Sequence, residues 1–227
     1  MTAATLTARA QAKTPPTRDA AFWDRIAEKY ARDPISDMAG YLATLERTKS
    51  YLGPDMNVLE IGAGTSSTAL ALAPLVARYH ATDISPEMVR IGRGRAAEAG
   101  TDLEISVAGP DDPALRSGSH DAVLAFNFVH LVADVERTLG HVREILRPGG
   151  LFISKTALLA ETGPARHAML RVALPVMKLF GKAPGHVQFL RGEGLLAAIR
   201  WAGFEIVEEA QDGAAFPRHY IVARKPG

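Results

Sequence analysis

Residues 58–67 restrict the fold of this chain more than any other segment, because they read VLEIGAGTSS, an apolar run that breaks at Gly62-Ala63-Gly64. Glycines directly after an apolar strand let the backbone turn sharply into a helix and approach a ligand closely. Apolar runs and helical patterns then alternate as far as residue 155. This alternation is typical of a parallel sheet with right-handed crossover helices.

The periodicities predict an α/β fold with a Rossmann-like seven-stranded sheet, parallel except for an antiparallel last strand, and with helices on both faces. Helices are expected over 19–32, 37–52, 66–73, 86–99, 134–146 and 192–202. Strands are expected over 56–61, 78–84, 103–108, 120–126, 150–155, 204–210 and 216–224. The last two strands flank Gln211-Asp212-Gly213, which predicts a hairpin at a sheet edge.

The length of 227 residues favours a single domain. We expect a disordered tail over 1–18 and one domain over 19–227, with an N-terminal helical cap over 19–55 and an inserted lid over 156–191. The net charge of +1 provides no basic field of the kind that marks nucleic-acid-binding proteins. The absence of cysteine excludes disulfides, thiolate metal sites and a cysteine nucleophile, and it fits a cytoplasmic location.

The glycine loop favours one kind of ligand over another. A dinucleotide fingerprint needs a third glycine where this chain has Ser67, and Glu60 places negative charge where a pyrophosphate would lie. A ligand with a cationic amino group suits Glu60 better. Asp83, at the end of the second strand, can accept hydrogen bonds from both hydroxyls of a ribose, a role shared by nicotinamide and adenosyl cofactors.

Four motifs occur in order along the chain: VLEIGAGTSS, ATDISPEM, HDAVLAFNFVHLV and LRPGGLFISKT. Together they resemble the class I S-adenosylmethionine-dependent methyltransferases, in particular the small-molecule and lipid group that includes the ubiquinone and menaquinone biosynthesis methylases. The resemblance covers about residues 22–156. It implies S-adenosylmethionine as cofactor and a methyltransferase acting on a small-molecule or lipid-like acceptor at oxygen, nitrogen or carbon.

The resemblance also implies a set of cofactor-binding residues. These are Glu60 near the methionine amino group, the backbone of Gly62 and Gly64, Asp83 at the ribose hydroxyls, Ile84 and Met88 against the adenine, Asp111 at the adenine amino group, and the backbone of Asn127 near the methionine end. Because Pro110 interrupts the third-strand motif, Asp112 stays an alternative to Asp111. Ser66 stands where the family often has a glycine, so we expect a backbone there without a positive φ.

Two residues are candidates for catalysis. His130 follows the fourth strand, close to the expected position of the methyl group, and histidine is the natural general base at neutral pH. Its alternative role is a structural histidine packed under a helix. Tyr30 matches a position where the family often brings an aromatic ring over the cofactor, although ordinary core packing explains its spacing equally well. Tyr41 and Asp37 could close the opening of the same cofactor site.

Metal ligation and nucleic-acid binding are not expected. No Asp, Glu and His cluster has the spacing of a metal site, and Asn127-Phe128-Val129 lacks the prolines of the clamp that holds an extruded base. The acid-free stretch 162–192 could bind an acidic or apolar acceptor, rest on an anionic membrane surface, or simply cover the core. The chain could be a monomer or a homodimer.

Two other functions stay open on the sequence. One is a non-catalytic binding or regulatory protein that keeps the fold and the cofactor. The other is a nicotinamide-dependent oxidoreductase, which Ser67 and the lack of a second catalytic domain disfavour.

Overall fold

The computed structural model describes residues 17–115, 118–213 and 216–227. Its strands are β1 Asn57–Ile61, β2 Arg78–Asp83, β3 Glu104–Val107, β4 His120–Phe126, β5 Leu146–Ala157, β6 Glu205–Asp212 and β7 Arg218–Arg224. They form one seven-stranded sheet in the order β3-β2-β1-β4-β5-β7-β6. β7 runs antiparallel to both of its neighbours, and the other pairings are parallel. The expected α/β sheet with a hairpin at one edge is therefore confirmed.

Helices cover both faces of this sheet. They are α1 Arg18–Arg32, α2 Met38–Lys49, α3 Ser67–Leu72, α4 Pro86–Ala99, α5 Val135–Ile145, α6 Pro164–Leu179 and α7 Gly192–Trp201. On one face Leu139 and Val142 of α5 and Leu195 of α7 pack into the core around Phe152. On the other face residues of α2, α3 and α4 pack against alternate side chains of the same strands. Each central strand is thus buried on both sides, as its nearly continuous apolar sequence requires.

Side-chain caps explain where several helices begin. Ser85 accepts a hydrogen bond of 3.1 Å from the backbone N–H of Met88 at the start of α4. Asp134 caps α5 and Asp37 caps α2 in the same way, each at 2.9 Å. Short polar side chains at these positions satisfy backbone donors that the helix leaves unpaired. These caps fix the helix starts within a residue or two of the expected ones.

Among the differences from the expected elements, two concern where an element begins and one is an additional helix. Thr17 caps α1 by accepting from the Ala20 N–H, so the helix begins at Arg18, inside the expected tail; residues 1–16 lie outside the described part of the chain. β5 begins at Leu146 rather than 150, because Leu146 pairs with His120 before an irregularity lets Ala122 pair with Leu151. The expected lid contains α6, a sixteen-residue helix that the sequence analysis did not delimit.

Within the described ranges, none of the helices is long and apolar enough to cross a bilayer.

Candidate functional site

A cavity of about 760 Å³ lies above the carboxyl ends of the central strands. β1 is the central strand from which the sheet extends in both directions, towards β2 and towards β4, and ligands bind at such a switch point in open α/β sheets. Of the ten candidate catalytic and cofactor-binding residues, five line the cavity: Tyr30, Glu60, Gly62, Gly64 and Asn127. The remaining candidates lie outside this wall: Asp83, Ile84, Met88, Asp111 and His130.

The backbone of the loop after β1 lines the cavity. Gly62 and Gly64 have φ values of +69° and +55°, which side-chain-bearing residues rarely adopt. A Cβ atom on Gly62 would lie 2.4 Å from Cδ2 of Phe128, whereas one on Gly64 would meet only Tyr30, at 3.7 Å. Gly62 therefore permits the close approach of the residues that follow β4.

The expectation for Ser66 is wrong. Its φ is +60°, so it adopts the left-handed conformation in which the family often has a glycine. The buried Ser66 hydroxyl lies against Gly92 of α4, where an added Cβ would come within 2.6 Å of the Ser66 Oγ atom. The absence of a side chain at Gly92 makes room for a serine at this position.

Glu60 contributes a buried carboxyl group to the cavity wall. Its Oε2 atom accepts a hydrogen bond of 2.8 Å from the hydroxyl of Tyr79. Burial raises the pKa of Glu60 to about 8; the Tyr79 hydrogen bond opposes this rise and the nearby Asp83 carboxylate adds to it. Among the residues that the structure describes, Glu60 forms no ion pair, so a cationic group entering the cavity would meet an uncompensated acid.

Asp83 joins the glycine loop to the start of α4. One carboxylate oxygen accepts a hydrogen bond of 2.8 Å from the N–H of Gly64, and the other accepts one of 2.9 Å from the N–H of Ser85. Burial raises the pKa of Asp83, and these two N–H donors act against that rise. Since an ionised carboxylate offers about four lone-pair sites, Asp83 keeps acceptor capacity for hydroxyl groups.

The two aspartates in the loop after β3 make different contacts. Asp112 accepts from the N–H of Ala114 at 2.9 Å and so starts a short 3-10 helix. Asp111 is exposed, and its Oδ1 atom lies close to Gly109. On the neighbouring wall Met88 is fully buried and Ile84 is half-buried. The Asp112 carboxylate thus serves the local structure at the start of this short helix.

Lys155 and Arg218 are two of the cations in the cavity wall, and the sequence analysis singled out neither. Lys155, at the end of β5, is buried, and its ammonium donates to Thr44 Oγ1 at 2.8 Å and pairs with Asp212 at 2.7 Å. Arg218 pairs with Asp37 at 3.1 Å. A lysine inside the apolar run LFISKTA was the available signal for Lys155, because a lysine is rarely buried without a specific partner.

The N-terminal helices close the cavity from above. Tyr30 of α1 lines it with half of its surface exposed, and partial burial together with the carboxylates of Asp83 and Glu60 raises the Tyr30 pKa. Tyr41 and Asp37 also line the cavity. Arg95 of α4 connects α1 to the glycine loop. It donates to Thr65 Oγ1 and to the carbonyl of Ala31, each at 2.7 Å. No sequence pattern marked Arg95.

His130 lies in a short 3-10 helix beyond β4 and does not form part of the cavity wall. Its Nδ1 atom is buried and has no hydrogen-bond partner among the residues that the structure describes. Burial, with the Arg218 guanidinium as a second cause, lowers the pKa of His130 to about 4. The imidazole is therefore neutral at physiological pH.

The described residues fit an adenosyl amino-acid cofactor better than a dinucleotide. The buried Glu60 suits a cationic amino group, and the bare Gly62 and Gly64 allow close approach of a ligand. Asp83, adjacent to this loop, suits vicinal hydroxyls. A pyrophosphate would instead meet the carboxyl groups of Glu60 and Asp83, which offer it no positive charge.

Comparisons with known proteins agree with this geometry. Residues 59–152 match the family model of a methyltransferase domain. A highly reducing polyketide synthase of Fusarium pseudograminearum is 34% identical over 112 residues, which cover 44% of this chain and 4% of that protein. The chain spans only 4–6% of the length of the curated relatives it matches.

Two solved structures share the fold. An S-adenosylmethionine-dependent methyltransferase of Thermotoga maritima matches with a TM-score of 0.66 at 22% identity, over 90% of this chain and 98% of that one. The CurJ carbon methyltransferase matches with a TM-score of 0.58 at 24% identity, over 77% of this chain and 50% of that one. Residues 59–152 thus match a methyltransferase domain, and the chain around them has the fold of these two methyltransferases.

Proposed function

We propose that this chain transfers a methyl group from S-adenosylmethionine to a carbon atom made acidic by a neighbouring carbonyl group, as in a 3-oxoacyl thioester. The observation that carries the proposal is the composition of one cavity wall. It combines a buried acid and a glycine cradle for the donor with the cations of Lys155 and Arg218 for the acceptor.

The cofactor supplies an activated methyl group on a sulfonium centre. The chain has to hold donor and acceptor in line and to exclude water. Glu60 would hold the amino group, Asp83 the ribose hydroxyls, and Asp111, Ile84 and Met88 the adenine. The backbone at Asn127 would pass the methionine end, since it lies between the glycine loop and Lys155, whose carbonyl accepts from the Asn127 N–H at 2.7 Å.

Carbon methylation requires an enolate, and the wall offers groups that stabilise one. Positive charge fixed in a partly dry cavity stabilises a developing oxyanion strongly. Lys155 and Arg218 supply that charge. Their partners Asp212 and Asp37 keep the two side chains in position.

We propose His130 as the proton acceptor and Tyr30 as the aromatic cover of the reacting groups. His130 is neutral at physiological pH and so can take a proton, but with a pKa of about 4 it is a weak base. Proton removal therefore depends on the enolate being stabilised by the cations. His130 lies outside the cavity wall, so acceptor binding has to bring its imidazole and the reacting carbon together.

The relatives support carbon as the acceptor atom. The Fusarium pseudograminearum protein is a polyketide synthase, and the CurJ domain is a carbon methyltransferase. Polyketide chains contain the acidic carbons described above. Of the acceptor atoms left open by the sequence, these two proteins favour carbon over oxygen and nitrogen.

The test is a methyl-transfer assay with trideuteromethyl S-adenosylmethionine and the N-acetylcysteamine thioester of a 3-oxo acid. We expect a product heavier by one trideuteromethyl group, located at carbon 2 by fragmentation. The matched 2,2-dimethyl-3-oxo thioester, which has no acidic hydrogen at carbon 2, should give none. Labelling of a phenol or an amine instead would contradict carbon methylation. Cofactor binding without turnover of any acceptor would favour a non-catalytic protein of the same fold.

A further inference from the structure

Helix α6 carries an apolar stripe that nothing in the described ranges covers. Met169, Val172, Val176, Leu179 and the adjoining Phe180 recur every three or four residues and so lie along one side of the helix. These five side chains are 53–78% exposed, and α6 has no buried residue at all. A contiguous exposed apolar patch usually marks a binding surface. We call these five residues the α6 stripe.

The segment around the α6 stripe is strongly basic. Residues 162–192 contain no Asp or Glu and carry five basic residues, namely Arg166, Arg171, Lys178, Lys182 and Arg191. Asp19 of α1 reaches the end of this segment, but its carboxylate already pairs with His186 at 2.8 Å and accepts from the Gly185 N–H. The surface therefore presents apolar side chains beside a segment that carries basic and no acidic residues.

We propose that the α6 stripe binds the surface of an anionic lipid bilayer. A helix with an apolar side and flanking cations lies in the interfacial plane, with its apolar residues among the acyl chains and its cations near the phosphates. A second copy of the chain fits less well. In a two-fold symmetric contact the same patch meets itself, so the acid-free basic segments would repel each other.

The stripe is connected to the cover of the cavity. Arg18 of α1 donates to the carbonyl of Lys178 at 2.9 Å, and Arg25 donates to the carbonyl of Gly181. The same helix α1 contributes Tyr30 to the cavity wall. A bilayer bound to α6 would thus lie beside the helix that closes the site. The proposal does not depend on the identity of the acceptor.

Cosedimentation of the full chain with lipid vesicles tests this proposal without any activity measurement. The vesicles are phosphatidylcholine with about a third phosphatidylglycerol, compared with phosphatidylcholine alone. We expect at least about tenfold stronger partitioning onto the anionic vesicles, and a decrease as salt is raised.

Variants locate the contact. Val172→Glu with Leu179→Glu should reduce binding at least about tenfold, and Val172→Ser with Leu179→Ser should do the same without adding charge. Trp201→Glu is the matched control. Trp201 is equally exposed, but α7 runs from the carboxyl edge of the sheet to the opposite edge, and binding should change less than about twofold. Circular dichroism verifies the folding of each variant.

Two results would overturn the proposal. One is no binding of the unsubstituted chain to anionic vesicles, which would leave an acidic protein surface as the occupant to be tested. The other is equal loss of binding in the stripe variants and in Trp201→Glu.

Discussion

The hydroxyl of Tyr79 donates a 2.8 Å hydrogen bond to the Glu60 carboxyl group, and both side chains are buried beneath the cavity. Burial raises the pKa of Glu60 to about 8 even though this bond favours the ionised form. At neutral pH the carboxyl group is therefore mostly protonated in the absence of a cation. A ligand with a positively charged amino group would favour the carboxylate and displace the proton.

We expect the affinity for S-adenosylmethionine to rise with pH below about 8. Binding favours ionised Glu60, so the gain should approach about tenfold per pH unit well below the Glu60 pKa and level off as pH reaches it. Calorimetric titration between pH 6 and 8.5, in buffers of different ionisation enthalpy, would also detect the released proton. In Glu60→Gln this pH dependence should disappear, and its persistence would show that another group is responsible.

The stability of the ligand-free chain should show the opposite trend. Since the folded-state pKa of Glu60 lies above its ordinary value of 4.5, the folded chain binds the extra proton between these two values. Its contribution to the free energy of unfolding should therefore fall as pH rises from about 4.5 to 8. Urea unfolding of the unsubstituted chain and of Glu60→Gln would measure this. If the free energy of unfolding depends on pH in Glu60→Gln as it does in the unsubstituted chain, Glu60 does not have the raised pKa.

The two glycines of the loop should differ in their tolerance of alanine. Gly64→Ala has only the strain of a positive φ, so we expect a loss of about 1–2 kcal/mol in the free energy of unfolding. Gly62→Ala adds a contact of 2.4 Å with Phe128 and should lose about 2–4 kcal/mol. Denaturant unfolding checks both values. In a Phe128→Ala background the two losses should become similar; a difference that persists there would exclude the Phe128 contact as its cause.

Arg95 should control how long the cofactor stays bound. Its guanidinium connects the carbonyl of Ala31 in α1 to Thr65 in the glycine loop. Arg95→Ala should loosen α1 and speed cofactor dissociation by about five- to tenfold, measured by stopped-flow fluorescence. Arg90→Ala is the control: it removes exposed ion pairs with Glu87 of α4 and Glu28 of α1 but no contact with the glycine loop, and it should have little effect. Similar cofactor dissociation rates in the two variants would show that the Arg95 contacts do not keep the cofactor bound.

Local sequence signals predicted the sheet and the donor side of the site well. Gly62 and Gly64 follow an apolar run, which predicts the turn after β1. Ser85 precedes Pro86, which predicts the start of α4. The acceptor side depends on contacts between distant residues. Lys155 meets Thr44 and Asp212, and Arg218 meets Asp37, pairs that only the folded sheet and the N-terminal cap bring together. The conformation of Ser66 likewise depends on Gly92, twenty-six positions away.

The most direct measurement is calorimetric titration of the purified chain with S-adenosylmethionine, S-adenosylhomocysteine and NAD. Asp83→Ala is the test variant, and Asp112→Ala, which loses only the local bond to Ala114, is the control. We expect dissociation constants on the order of micromolar for the two adenosyl ligands, weakened at least about tenfold in Asp83→Ala and little changed in Asp112→Ala. Tight binding of NAD, with neither adenosyl ligand bound, would contradict the account.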